Sequence, residues 1–434
     1  MKSPSWSRWL VPGVGIKRWV ALLFAGVGLV TAAAVVLVYQ SFGVTIGPFW
    51  SSRLTPPLLL GAGLAVVLFA LRALIKVVAQ PYAGPTDSVS TKLISYNQLQ
   101  RGPRVVAIGG GTGLPSALRA LKEHTNDLTA VVTVADDGGS SGRLRRELGV
   151  LPPGDLRNNI VALADDESLM AKLFQYRFEE GELKGHSFGN LFISALASIT
   201  EGGLEAALIE TARVLNIQGR VLPSTLEDVN LRASVLLPGK SRSITIFGEA
   251  AIGEAGGKIQ HLELDPAQPA AYPGSVDAIQ NAQMVVIGPG SLYTSIIPNL
   301  LVPGIANALR ATTAYIVYIC NVATQPGETE DYTVAEHMMA IEEMVGRGIF
   351  QAVVANNAYP TPPAYSKTHY VQPIPANHQV LQRYEVVYSD LTDDERPWRH
   401  DPYKLSNILM ALYESERHRR PLQPQRFAEP LKNS

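Results

Sequence analysis

The sequence predicts an α/β fold: a Rossmann-like, mostly parallel sheet with flanking helices and a small antiparallel addition, preceded by two transmembrane helices. Three observations carry this. From Pro103 onward, short β-branched apolar runs alternate with helical stretches, the pattern of parallel strands joined by crossover helices. Several of those runs end in glycine loops. Before them, two apolar stretches lie in a segment with no Asp or Glu.

The N-terminal segment comes first. Val20–Tyr39 is uncharged and long enough to cross ~30 Å of hydrocarbon as a helix. Trp19 and Tyr39 bracket it as interfacial aromatics would. A second span covers about residues 57–78, with Arg72 and Lys76 placed to snorkel at its end. A signal peptide is the competing reading, but the apolar run is longer than a signal core and no clear cleavage site follows. Basic residues flank the outer ends of both spans, and the loop between them carries only Arg53. The positive-inside rule then places both ends in the cytoplasm. The expected organisation is a membrane hairpin over 1–80, a linker over 81–102, an α/β domain over 103–390, and a C-terminal helix with a disordered tail over 391–434.

Composition narrows the function. Net charge is −1, yet all seven charged residues of the first 86 are basic, so the remainder is acidic overall. Such a body is not a general nucleic-acid binder, which needs positive charge to displace counterions. The single cysteine, Cys320, excludes a disulfide framework and a cysteine-rich zinc site.

In the body, Val105–Ile108, Ala130–Val134, Met284–Ile287, Ala314–Ile319 and Gln351–Ala355 read as buried strands. Leu114–Glu123, Gly189–Ile199, Leu204–Leu215, Ile305–Ala311 and Val334–Val345 read as helices. Val229–Leu237, Ser243–Phe247 and Lys258–Leu264 read as hairpin strands. Ala358–Ala376, rich in Pro and Tyr, reads as irregular.

The chemistry lies in the loops. Gly109, Gly110, Gly111, Thr112 and Gly113 join a strand to a helix. Glycine lets a ligand approach the backbone, and the helix start offers free N–H groups to a phosphate. There is no Walker lysine, and Leu114 stands where a third dinucleotide-motif glycine would fall. Asp136 and Asp137 end the next strand; they could bind a ribose hydroxyl or hold Mg²⁺. Gly138, Gly139 and Ser140 follow as a second anion-facing loop, with an Asp-Gly turn as the alternative. Gly154-Asp155 reads as a turn and helix cap, with Arg157 able to face an anion. His186 and Asn190, four apart at a helix start, could contact a sugar or base. Gly288, Pro289, Gly290 and Ser291 form another strand-to-helix glycine loop, with Tyr293 and Thr294 just beyond it. Asn321–Thr333 supplies polar groups to the same rim. Two glycine loops and an acid pair beyond parallel strands form the crevice in which such sheets bind ligands. No HExxH pair or cysteine nucleophile is present.

Taken in order, GGGTGL, TVADDGGSSGRLR, PPGDLRN, FQYRF, GHSFGNL, GRVLP, GPGSLYTSIIPNLLVPGI and YICNVATQPGET resemble the YvcK/CofD-like family, specifically its bacterial gluconeogenesis-factor branch. The resemblance covers about Arg104 to Asn357. It implies a Rossmann-like domain that binds a UDP-sugar, chiefly UDP-N-acetylglucosamine. It also implies a regulatory role in gluconeogenic growth, peptidoglycan-precursor synthesis and cell shape, with a protein partner in that synthesis. By the same resemblance Gly109–Gly113, Asp136, Asp137, Asn190, Gly290, Ser291, Tyr293 and Thr294 line the ligand cleft. A distant branch transfers a phospholactyl group to a deazaflavin with Mg²⁺, so a Mg²⁺-dependent transferase is the alternative. The chain departs from the family pattern in its N-terminal hairpin and in Ala323, where Met is usual. Self-association stays open.

Overall fold

The computed structural model describes residues 16–44, 47, 50, 52–79, 99–164, 169–361 and 369–419. The chain divides into two units, Met1–Asn97 and Gln98–Ser434. Most of the expected linker, the expected tail beyond residue 419 and the middle of the Pro/Tyr-rich stretch lie outside the described residues.

The first unit is a pair of helices, α1 (Ile16–Ser41) and α2 (Thr55–Ala79). Both are long and apolar enough to cross a membrane. Small residues set their approach: a Cβ on Gly26 would sit 2.8 Å from Val67 Cγ2, and one on Gly63 would sit 2.9 Å from the Val30 nitrogen. Trp19 meets Phe69 edge to face. Gln40 Nε2 donates to the carbonyls of Trp50 and Ser52, tying the connecting turn to α1.

The second unit runs β1 (Val105–Gly109), α3 (Leu114–Lys122), β2 (Leu128–Val132), α4 (Gly139–Leu148), α5 (Gly154–Leu163), α6 (Leu169–Gln175), α7 (Phe188–Ile199), α8 (Gly203–Leu215) and β3 (Arg220–Pro223). Then come β4 (Asn230–Leu236), β5 (Ile244–Phe247), α9 (Glu249–Glu254), β6 (Lys258–Asp265), α10 (Pro273–Asn281) and β7 (Met284–Ile287). A π-helical turn (Leu292–Ile296), α11 (Ile297–Leu300), α12 (Pro303–Ala311), β8 (Tyr315–Ile319), α13 (Val334–Val345), β9 (Ala352–Asn356), β10 (Glu385–Ser389) and α14 (Pro402–Arg419) complete it.

Seven strands form one sheet in the order β10-β9-β8-β7-β1-β2-β3, with every pairing parallel. Strands β1, β2, β7, β8 and β9 are buried along their whole length. Helices cover both faces of a parallel sheet, which is why these strands read as continuous apolar runs instead of alternating ones. The three hairpin strands form a separate antiparallel sheet, β5-β4-β6. Its alternating burial along β4 marks one face on the core and one toward solvent.

The order of the sheet locates the site. From β1 the chain proceeds outward through β2 and β3, then returns to the other side of β1 and proceeds outward through β7 to β10. Strands β1 and β7 are therefore neighbours at the switch point, in register from Val105 opposite Met284 to Ile108 opposite Ile287. Loops leaving their carboxyl ends diverge to opposite faces and leave a crevice between them.

Two edge strands, β3 and β10, escaped the sequence reading. Each is short, and β3 alternates exposed and buried positions, so neither makes the fully apolar run that marks the central strands.

Candidate functional site

At the switch point the two glycine loops are in contact. A Cβ on Gly113 would lie 2.6 Å from Gly290 Cα and 2.7 Å from the Pro289 carbonyl oxygen. The approach is backbone to backbone, so Gly113 has no room for a Cβ. Asn321 clamps the second loop from β8: its Nδ2 donates to the Gly290 carbonyl (2.8 Å) and its Oδ1 accepts from the Gly290 N–H (3.1 Å). Asn299, fully buried, donates to the carbonyls of Gly109 (2.8 Å) and Ser295 (2.7 Å). It thereby ties the first loop to the helix that follows the second.

Above this contact opens a cleft of about 660 Å³, a volume that suits a ligand of drug size. Gly111, Thr112, Gly113, Gly290, Ser291 and Thr294 line it. So do Asn321–Pro326 and Glu328 on the rim after β8. Gly111 has φ +61°, in the left-handed region, which aims its amide away from the strand axis.

Several predicted site residues sit elsewhere. Gly109, Gly110 and Gly288 lie behind the loops: a Cβ on Gly110 would meet Asp155, and one on Gly288 would meet Ile296. Asn190 is buried, accepting from Arg157 (2.9 Å) and donating to Ser140 (3.1 Å). Ser140 also bonds the buried ring of His186 (3.1 Å). These side chains brace the loops from within. Gly138–Ser140 is not an open loop, because Gly138 caps α4 and Gly139 begins it. Tyr293 is 2% exposed and points away from the cleft, its hydroxyl 2.9 Å from that of Tyr332. Both tyrosines line a separate cavity against α13.

The acid pair is also committed internally. Asp136 Oδ1 accepts from the Gly138 N–H (2.9 Å), and Asp137 Oδ1 accepts from the Ala250 N–H (3.0 Å). Among the described residues no group of three or more His, Cys, Asp or Glu side chains gathers to hold a metal. The Oδ1 atoms of both carboxylates are engaged by backbone N–H groups, so a Mg²⁺ there would take most of its shell from ligand phosphates and water.

Three features escaped the sequence reading, and a fourth, Glu328, entered it only as part of the polar rim Asn321–Thr333. Asp155, read there as a cap, instead accepts from the Gly111 N–H at 2.7 Å, so a carboxylate already faces the first loop from below. Burial, then the neighbouring Asp136, push its carboxyl up to about 7. Glu249, on α9 of the small sheet, lines the cleft with Oε2 buried and unpartnered. Burial and the surrounding acids Asp155, Asp136, Asp137 and Glu328 push it up to about 9. Glu328 accepts from the Ser291 hydroxyl and, at 3.3 Å, from Thr294; burial raises its carboxyl too. Finally Trp398, Arg399 and His400 line the cleft from the segment just before α14. Arg399 is exposed and has no ion-pair partner among the described residues. The Trp-Arg-His run was the available signal, but it lay in a segment read as helix and tail.

Comparison with known proteins decides the family. The family model described as 2-phospho-L-lactate transferase CofD matches residues 105–392. The chain belongs to the CofD family. Within it, the chain groups with the gluconeogenesis factors. It is 42% identical to the gluconeogenesis factor of Bacillus subtilis over 71% of this chain and 98% of that protein. It is 49% identical to that of Halalkalibacterium halodurans over 58% and 77% respectively. A Nostoc sp. relative bearing the same name provisionally is 42% identical over 95% of this chain. The crystal structure of a UPF0052-family protein from Bacillus halodurans shares 40% identity with a TM-score of 0.66, covering 71% of this chain and 99% of that one. The match to the CofD-family model stops at residue 392, short of the Trp398–His400 wall of the cleft.

Proposed function

We propose that this CofD-family chain binds a nucleotide-diphosphate sugar of the UDP-N-acetylglucosamine class. In this reading it acts as a regulator in gluconeogenic growth, envelope-precursor synthesis and cell shape. One observation carries the reading: two glycine loops meet at the switch point of a parallel sheet beneath a cleft whose one unpaired cation is Arg399 among the described residues. The diphosphate rests over the loops, because their contact leaves no room between them. Thr112 and Gly113 offer donors to it, and Arg399 supplies charge. The half-buried Trp398 gives a ring face for the base or sugar. The two apolar helices tether the domain to the plasma membrane with both ends in the cytoplasm, matching the flanking basic residues.

Mass spectrometry of small molecules released from the purified full chain tests this. The expected result is a UDP-sugar retained by the parent and lost from Arg399→Ala. Recovery of an unrelated ligand, or equal retention by the variant, would overturn it.

A transferase is the second reading. It is favoured by one observation, that Glu249 and Glu328, both held toward their neutral forms, line the same cleft. Such a pair can supply acid–base chemistry. Incubation with UDP-N-acetylglucosamine and Mg²⁺ separates the readings: a regulator returns the ligand intact, and a transferase releases free nucleotide.

A further inference from the structure

The small antiparallel sheet brings one side chain to the cleft. Its helix α9 is fastened to the loop after β2 at one point, where the Asp137 carboxylate accepts from the Ala250 N–H at 3.0 Å. Beside it Gly248, at φ +94°, passes so close that a Cβ there would collide with the same carboxylate. This attachment holds the next side chain, Glu249, in the wall of the cleft. Glu249 faces the carboxyls of Asp155, Asp136 and Asp137 from one side and of Glu328 from the rim. The cations of the neighbourhood are Arg157, behind Asp155, and Arg399, on the cleft wall, with His400 beside it. Glu249 Oε2 is buried and has no hydrogen-bond partner. A buried, unpaired carboxylate oxygen among other acids is costly, and protonation is the cheapest relief.

We propose that Glu249 is a ligand-contacting residue of the cleft that donates a hydrogen bond, as a neutral acid, to a phosphate or hydroxyl oxygen of the nucleotide sugar, and that Asp137 is the positioning residue that holds it there. The proposal deepens the nucleotide-sugar reading and rests on it. It gives the acid pair divided roles: Asp136 closes its own loop, and Asp137 couples the small sheet to the site. It also lets a cleft rich in carboxyls accept a diphosphate, because protons retained on the acids remove the repulsion. The raised ionisation of Glu249, about 9, agrees with it.

The test is calorimetric titration of the full chain in detergent with UDP-N-acetylglucosamine, from about pH 6 to pH 10, on five proteins. Wild-type affinity should fall as Glu249 ionises near about pH 9. Glu249→Gln keeps a donor but cannot ionise. It should weaken binding by about threefold or less at neutral pH and lose the alkaline fall. The uracil ring also loses a proton in alkali, so the readout is the difference between these two profiles. Glu249→Ala should weaken binding by about tenfold, the size of one lost hydrogen bond to a charged group. Asp137→Ala should lose both affinity and the alkaline step, and Asp137→Asn, which keeps the acceptor for Ala250, should retain both. Wild-type binding by Glu249→Ala, or coincident profiles for the parent and Glu249→Gln, would overturn the proposal.

Infrared difference spectra of the parent minus Glu249→Gln, taken without ligand at neutral pH, give a separate readout. A carboxylic-acid C=O band supports the neutral acid, and its absence overturns it. Failure of the parent to bind the sugar nucleotide would overturn the nucleotide-sugar reading, with the infrared result still deciding the state of Glu249.

Discussion

Gly113→Ala is the sharpest probe of the loop contact, because two physical arguments predict opposite signs. Gly113 has φ −84° and ψ −51°, ordinary helical backbone. On backbone grounds alone, alanine there would stabilise by about 0.4–1 kcal/mol by restricting the unfolded chain. The contact predicts the reverse. The new Cβ would sit 2.6 Å from Gly290 Cα, 2.7 Å from the Pro289 oxygen and 2.8 Å from the Gly290 nitrogen. Carbon contacts are comfortable near ~3.5 Å, so the loops must part by roughly 0.9 Å. Neither side yields freely, because Asn321 grips Gly290 and Asn299 grips Gly109. Overpacking of this kind costs about 1–3 kcal/mol; less the backbone gain of about 0.4–1 kcal/mol, the net effect should be a destabilisation of about 0–2.6 kcal/mol. Gly290→Ala is the control. Its Cβ would find only Ser295 Cβ at 3.5 Å, Gly110 O at 3.6 Å and Ile296 Cγ1 at 3.9 Å, so stability should move by no more than about 0.5 kcal/mol. Urea unfolding of the two variants in detergent gives both numbers. A Gly113→Ala chain more stable than its parent would refute the loop contact.

Asn299→Ala removes the bonds donated to the Gly109 and Ser295 carbonyls, leaving Gly109 O with the Thr133 N–H alone at 3.2 Å, and should cost about 1–3 kcal/mol in the same assay. Asp155 has its folded ionisation raised from 3.8 to about 7. Its stabilising contribution is therefore full below about pH 3.8 and lost as pH rises through about 7. Asp155→Asn should flatten the stability curve over that window, and an unchanged slope would count against the burial of this acid. His337 is buried, with Nδ1 2.9 Å from the Thr333 carbonyl, and burial lowers it from 6.5 to about 4. Its contribution is present above about pH 6.5 and lost as pH falls through about 4, so His337→Phe should blunt acid unfolding, read by melting temperature against pH.

The sheet was legible because its central strands are buried on both faces. Met284–Ile287 and Tyr315–Ile319 are unbroken apolar runs between glycine and polar loops, and no helix period fits them. The edge strand Arg220–Pro223 gave no such run, because one side meets solvent. The glycine loops were legible for a related reason: Gly113 packs against the Pro289 and Gly290 backbone too closely for a Cβ. Side-chain direction was not legible. Tyr293 and Thr294 are adjacent, yet the π-helical turn sends Thr294 to the cleft and Tyr293 to Tyr332. Asn190 falls in a cleft-like motif, yet its amide is consumed by Arg157 and Ser140. Glu249 and Arg399 reach the site from a hairpin sheet and from a C-terminal segment. Only tertiary folding brings those elements to the switch point, and no local spacing announces it.

A structure of the chain with UDP-N-acetylglucosamine tests the central claim most directly. The diphosphate is expected over Gly111–Gly113 and Gly290–Thr294, with the Arg399 guanidinium within hydrogen-bonding distance of a phosphate oxygen and the Trp398 ring against the base or sugar. A ligand seated instead in the cavity beside Tyr293 and Tyr332, with the glycine-loop cleft empty, would contradict it.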